Sequence, residues 1–217
     1  MSDAAPDVVS GLDAAVARAH SLAGPRRVLL GVAGAPGAGK TTLVEALLER
    51  LGAGPPYGPD TVAHLPMDGF HLADAQLERL GLLDRKGAPE TFDVDGYVAT
   101  LARLRAEPDR PVYAPGFERT LEQPIAAAVA VEPTARLVIT EGNYLLLGEG
   151  GWERVAGMLD EVWFVDPPAD RVRRLVARHE QFGKSPDAAR AWVETVDEPN
   201  AALVEATRTV ADAVVRL

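Results

Sequence analysis

The chain has 217 residues, with 22 Lys and Arg against 32 Asp and Glu and a formal net charge of −10. Hydrophobic residues at 47% and charged residues at 25% are ordinary globular values and exclude wholesale disorder. The acidic balance argues against a duplex nucleic-acid binder, and the absence of cysteine excludes a disulfide frame, a thiolate nucleophile and a cysteine zinc site.

In chain order, Val8, Val9, Leu12, Val16, Ala19 and Leu22 fall at helical spacing and predict a first helix, stopped by Gly24-Pro25. Residues 27–33, short, apolar and β-branched, predict a buried strand. After a glycine-rich turn, Leu43, Val44, Leu47, Leu48 and Leu51 form the apolar stripe of a helix that Gly52 and Gly54 end. Further strands are expected at 61–66, 136–140, 161–165 and 213–217, and helices at 73–80, 94–107, 152–159, 169–180 and 187–207, the last broken at Pro199-Asn200. This alternation predicts a three-layer α/β/α domain over residues 1–217 with a mainly parallel sheet. Residues 81–93 and 108–124, rich in Pro, Gly and charge, read as functional loops. No apolar run approaches the roughly 18 residues of a membrane span. The acidic start precedes no apolar segment of the secretory type, so the expectation is a cytoplasmic protein with neither a membrane nor a nucleic-acid partner.

The strongest local signal is Gly34-Ala35-Pro36-Gly37-Ala38-Gly39-Lys40-Thr41, which matches G-x-x-x-x-G-K-[ST] in full. Its glycines let backbone N–H groups wrap a phosphate, Lys40 is suited to bridge the β- and γ-phosphates, and Thr41 offers a hydroxyl to Mg²⁺. The helix that follows points its positive end at the same anion. Residues 34–42, Thr42 included, are therefore the candidate ATP site.

A phosphate loop alone does not choose among switches, motors and kinases. The sequence lacks the Asn/Thr-Lys-x-Asp tetrad expected of a GTPase, and it is short for an oligomeric motor. It offers instead Asp68 directly after the predicted strand 61–66. Strand C-termini of a parallel sheet share one edge, so Asp68 should face the phosphate loop, where a carboxylate can take the proton of an attacking hydroxyl. The alternative is a plain Asp-Gly turn. Glu141 ends the strand 136–140 and, with Thr41, is the candidate metal ligand. Flanked by apolar residues, it should also have a cationic partner.

Arg171, Arg174 and Arg178 follow i, i+3, i+7 on one helix face, in a stretch at 171–190 that reads as a lid. Arg174 or Arg178 is the candidate to stabilise the transferring phosphoryl group, with Lys184 as a lid contact. His71, three residues after Asp68, can reach substrate, although a lone loop histidine is more often solvated. The four histidines show no metal-ligand spacing, and Trp152, Trp163 and Trp192 are expected to pack.

These motifs resemble those of the phosphoribulokinase, uridine kinase and bacterial pantothenate kinase superfamily, most nearly its nucleoside/nucleotide kinase-like branch, over most of the chain from about residue 28. Asp68-Gly69-Phe70 is similar to the family's Asp-Ser/Gly-Phe motif, whose aspartate is the catalytic base. Arg85-Lys86-Gly87-Ala88-Pro89-Glu90-Thr91-Phe92-Asp93 resembles the Lys-Lys-Gly-Phe-Pro-Glu-Ser-Tyr-Asp run of pantothenate kinases, and Pro111-Val112-Tyr113 the family's acceptor-side Pro-x-Tyr. Thr140-Glu141-Gly142-Asn143 resembles its Glu-Gly Walker B motif, and residues 198–212 the tail of uridine kinases. The pattern departs at Ala114-Pro115, where pantothenate kinases carry Ser-His, and Pro115–Arg119 does not reproduce the uridine kinase acceptor loop.

The resemblance implies transfer of the γ-phosphate of ATP, with Mg²⁺, to a hydroxyl of a small metabolite, nucleoside or sugar before pantothenate. Asp68 would be the base, Lys40 would hold the phosphate, and the acceptor would lie among His71, Lys86, Tyr113, Arg119 and Asn143, in loops at 68–93 and 111–124. Family members are often dimers, so a homodimer is implied as well. The competing class is a regulatory ATP-binding switch with no small-molecule acceptor.

Overall fold

The run Val28–Ala33 is apolar at every position and buried at every position, so it belongs at the centre of a sheet covered on both faces. In the computed structural model, which describes residues 5–217, the strands are β1 (Asp7–Ser10), β2 (Val28–Ala33), β3 (Val62–Pro66), β4 (Val112–Glu118), β5 (Gln123–Val131), β6 (Leu137–Gly142), β7 (Glu161–Val165) and β8 (Ala213–Arg216). The α-helices are α1 (Leu12–Ser21), α2 (Lys40–Gly52), α3 (Asp74–Leu80), α4 (Val94–Ala106), α5 (Arg171–Gln181), α6 (Pro186–Trp192) and α7 (Glu198–Glu205). Six strands form a parallel sheet in the order β1-β8-β7-β2-β6-β3. Alternate residues of the central strands feed two apolar layers. Leu30, Val32, Ile139 and Trp163 pack with α1 and α2 on one face, and Leu29, Val138, Phe164 and Trp152 pack with α4 and α7 on the other.

Register brings the functional strand ends together. Val32 pairs with Glu141 and Pro66 pairs with the same residue, so Glu141, the phosphate loop after β2 and the turn after β3 share one edge. Buried Thr140 fastens that edge: its hydroxyl donates to the Leu65 carbonyl at 2.7 Å and lies 2.5 Å from the Tyr97 hydroxyl.

Four elements differ from the sequence expectation. Asp7–Ser10 is a strand parallel to β8, not the start of α1; Val8 is exposed and Val9 buried, an alternation too short to stand out beside a helical stripe. Residues 152–158 form two separate 3₁₀ turns, because glycines at 150, 151 and 157 flank or interrupt the stretch. The helical stretch expected from 187 to 207 is interrupted before Pro199 by a π-turn over Val193–Asp197, which spaces the backbone around a residue that has no N–H to donate. Residues 108–124, expected as a loop, contribute β4 and the turn of an antiparallel hairpin whose second strand is β5. The hairpin carries a bulge between Ala114 and Gly116 and left-handed residues at Glu122 and Ala127. It lies against the 3₁₀ turn Met67–Phe70 so closely that a Cβ on Gly69 would sit 2.1 Å from the Pro115 carbonyl oxygen.

The 81–93 loop is pinned from below. Phe92 meets Tyr144 and Trp152 edge-on, with ring centroids 5.7 and 5.8 Å apart, and the Tyr144 hydroxyl donates to the Gly87 carbonyl. Each such buried aromatic contributes about 1.5–3 kcal/mol through area removed from water, so this segment is anchored by core packing.

Candidate active site

The loop between β2 and α2 turns through left-handed glycines at Gly37 and Gly39, with φ of 76° and 95°. A Cβ on Gly37 would strike Leu175 at 2.8 Å, so α5 closes on the loop only because no side chain intervenes. Gly39 begins α2 with no side-chain cap and no acid in the first turn, which leaves the positive end of the helix for an anion. Ala35 and Ala38 bury their methyls, and Thr42 faces solvent from the first turn. Lys40 is buried and donates to the Gly34 and Ala35 carbonyls at 2.9 and 3.1 Å and to Asn143 Oδ1 at 2.7 Å. Burial pushes its ammonium below the ordinary lysine value, against the pull of Glu141 and Asp68.

Thr41 Oγ1 donates to Glu141 Oε1 at 2.9 Å. Burial raises the Glu141 carboxyl and the Asp68 charge adds to it, while Lys40 and the Thr41 hydrogen bond pull it down. Lys40 supplies the largest favourable charge on Glu141 without a direct ion pair between them among the described residues. Behind it His64 Nε2 lies 3.8 Å from Glu141 Oε1, buried and unbonded, and burial drops the imidazole to about 4, so it is neutral. Among the described residues no group of three His, Cys, Asp or Glu side chains could hold a metal unaided. The Thr41–Glu141 pair does fit Mg²⁺, which takes one or two protein oxygens and completes its shell with phosphate and water.

Asp68 stands in the 3₁₀ turn after β3 and accepts from Arg119 Nη2 at 2.8 Å. Burial alone would raise this carboxyl. Its basic neighbours His71, Arg119, Arg178 and Lys40 outweigh burial and hold it below the usual carboxylate range. His71 stacks on Phe92 with centroids 3.9 Å apart; burial lowers it to about 4, so it faces the cleft as a neutral ring. Phe117 closes the other side, with the Arg119 guanidinium 5.3 Å and Lys86 Nζ 5.7 Å from its centroid. Lys86 is held by Asp74 at 2.6 Å and by the Glu122 carbonyl at 2.5 Å.

The lid arginines separate. On a helix, Arg171 and Arg178 lie about 20° apart in projection and Arg174 about 60° from Arg171. Arg178 lines the cleft, Arg171 donates to the Pro36 carbonyl at 3.2 Å, and Arg174 points to solvent beside Asp170. Arg174 is therefore not brought to the site. Tyr113 is not either: it is 59% exposed on the outer face of β4, between buried Val112 and Ala114, and Phe117 fills the aromatic position facing the cleft. The remaining candidates, Asp68, Lys40, Thr41, Glu141, His71, Lys86, Arg119, Asn143 and Arg178, line one cleft of about 420 Å³.

Sequence reasoning missed the place of Phe92 and Phe117 in the cleft wall and, although it put Lys184 in the lid, missed the cluster that Lys184 and His179 form with Trp192 and Asp197. Nothing in the spacing along the chain hints at that cluster, in which His179 Nε2 meets Asp197 Oδ2 at 2.7 Å and Lys184 lies 4.3 Å from the Trp192 ring. Trp192, expected to pack, lines the cleft, whereas Trp152 and Trp163 are buried as expected. The one available signal for Phe117 was its place near the end of β4, two residues before Arg119, which follows that strand.

A parallel α/β sheet with a glycine-rich loop after β2, an acid at the end of the adjacent β6 and another just after β3 is the arrangement of a P-loop kinase. No family model matches the chain. It is 37% identical over 161 residues to a uridine kinase-like protein of Schizosaccharomyces pombe, covering 72% of this chain and 67% of that one. An ATP-dependent kinase-like protein of Aspergillus versicolor is 39% identical over 135 residues, 58% of this chain and 77% of the other. A solved structure described as a fructose transport system kinase, from Silicibacter sp. TM1040, superposes with a TM-score of 0.83 at 38% identity, covering 94% of this chain and 98% of that one. The chain belongs to the P-loop small-molecule kinases of the phosphoribulokinase, uridine kinase and pantothenate kinase superfamily.

Proposed function

We propose that the protein is an ATP:alcohol phosphotransferase acting in the cytoplasm on a small hydroxylated metabolite, a sugar or nucleoside in class. The observation that carries this reading is the presence of Asp68 in the same cleft as Lys40 and the Thr41–Glu141 pair. A switch that only binds and releases nucleotide has no use for a carboxylate facing an open acceptor space beside the phosphate loop.

In the proposed reaction the acceptor hydroxyl gives its proton to Asp68 as its oxygen bonds to the γ-phosphorus. The bond from that phosphorus to the β–γ bridging oxygen breaks, and its electron pair leaves with ADP. Lys40 and the backbone of residues 34–41 hold the phosphates, and Arg178 meets the charge of the phosphoryl group in flight. Bound Mg²⁺, held by Thr41 and Glu141, would supply charge neutralisation of the β- and γ-phosphates. Closure of the lid around Arg178 excludes water, which would otherwise compete as the acceptor.

The test is ATP consumption measured across nucleosides, sugars, polyols and pantothenate. Stimulation by one class, with a phosphorylated product, is the expected outcome. Slow hydrolysis indifferent to every compound would instead identify a nucleotide-binding switch.

A further inference from the structure

The acceptor end of the cleft sets two cations among the acids Asp68, Asp74 and Glu122. Arg119 and Lys86 approach the same Phe117 ring, at 5.3 and 5.7 Å. Lys86 is balanced by Asp74 and the Glu122 carbonyl. Arg119 has one partner among the described residues, Asp68, through a single Nη2 donor. The rest of its five-donor fork has no hydrogen-bond partner among them.

This pairing conflicts with phosphotransfer to a neutral acceptor. When Asp68 takes up the hydroxyl proton its charge disappears, and Arg119 is left half-buried with no charged carboxylate in direct contact. The guanidinium therefore opposes the step it stands beside, unless a second anion takes it over. Arginine is the side chain best shaped to receive a carboxylate or phosphate through a two-pronged contact.

We propose that the true acceptor carries an oxyanion, a carboxylate or a phosphate, in addition to the hydroxyl that is phosphorylated, and that Arg119 binds this group with Lys86 behind it. The inference rests on the phosphotransferase reading and narrows its substrate class to acidic metabolites. It also gives the Arg119–Asp68 contact a purpose: without an acidic acceptor, Arg119 keeps the carboxylate engaged and water is not activated. The arriving oxyanion draws the guanidinium off and releases Asp68 for the hydroxyl.

Matched acceptors that differ in charge test this, with ATP consumption and product followed for gluconate against glucose, glycerate against glycerol, and ribose 5-phosphate against ribose, with uridine alongside. The charged member of at least one pair is expected to exceed its neutral partner in kcat/KM by about tenfold to a hundredfold, the range of one or two charge-assisted contacts. The carboxylate and phosphate pairs distinguish the two sources of the anion. Arg119→Gln should bring the charged member down to the level of the neutral one, and Arg119→Lys should retain part of the preference. In a second readout that needs no acceptor, Arg119→Gln should raise basal ATP hydrolysis several-fold, and Asp68→Asn in the same chain should cancel the rise. Neutral sugars or uridine used as well as the acids, or an equal loss for both members of each pair in Arg119→Gln, would overturn the oxyanion while leaving phosphotransfer intact. ATP consumption unmoved by every compound would overturn both.

Discussion

The two ends of the cleft are made in different ways. The phosphate end is main chain and strand termini: carbonyls of Gly34 and Ala35, the start of α2, and Glu141 held in register by β2 and β3. The acceptor end is side chain against side chain: Asp68 on Arg119, Lys86 on Asp74, His71 on Phe92. The first end is built largely from backbone and strand register, with the side chains of Lys40, Thr41 and Glu141 set into it. On the proposed reading the second end would set which acceptor enters, and its contacts lie outside the six-stranded sheet.

The largest effect that sharpens this contrast is expected from Asp68→Asn, which should lower kcat by about 10³-fold while leaving ATP affinity unchanged, since a general base contributes on that scale. Isothermal titration with a non-hydrolysable ATP analogue, beside steady-state kinetics, separates the two. Retained turnover would remove the base assignment. Gly69→Ala should come next: its methyl would meet the Pro115 carbonyl oxygen, forcing the hairpin off the turn that carries Asp68. A loss of about 2 kcal/mol, some 4–8 °C in Tm, follows from overpacking against backbone. An unshifted melting curve would show that the hairpin does not brace the base.

The pH response is comparable in size and is shared by both ends. His64 and His71 are each held at about 4, below the ordinary 6.5. Between those values the unfolded chain binds more protons than the folded one, so their contribution to stability is present above about 6.5 and is lost as pH falls toward 4. Urea denaturation from pH 7.5 to 5 should register on the order of 2 kcal/mol for each histidine, and His71→Gln should flatten the part of that slope that belongs to the acceptor end. The smallest effects mark the boundary of the site. Tyr113→Ala and Arg174→Ala should leave kcat and KM within about twofold of wild type, as surface changes usually do. A tenfold loss in either would extend the acceptor end beyond Phe117 and Arg178.

The same division explains what could be read from the sequence. Gly34 to Thr41, Asp68 and Glu141 were legible because backbone wrapping and strand-end placement follow from local pattern and parallel topology. The acceptor end was not, because its partners meet across long separations: Arg119 reaches Asp68 from a hairpin that reads as a loop. Pro115, Gly116 and an alanine-rich β5 conceal that hairpin's period of two. Tyr113 and Phe117 are both aromatic and four residues apart, so period two alone does not tell exposed Tyr113 from Phe117, which lines the cleft beyond the bulge. The lid arginines share a stripe in one dimension, but the angle between Arg174 and Arg178 separates solvent from cleft. At the N-terminus the short strand at Val8–Val9 merged with the stripe of α1, since four residues cannot establish a period against ten that follow.

The π-turn at Val193–Asp197 makes the lid sensitive to chain length rather than to chemistry. One residue fewer in that turn would let the helix run on in ordinary pitch and would rotate everything after it by about 100° relative to α6. Asp197 would swing away from His179, and buried Asn200 would leave the cleft wall, with every side chain still present. Relatives of different length can therefore be expected to gain or lose residues in the loops around the hairpin long before they do so here.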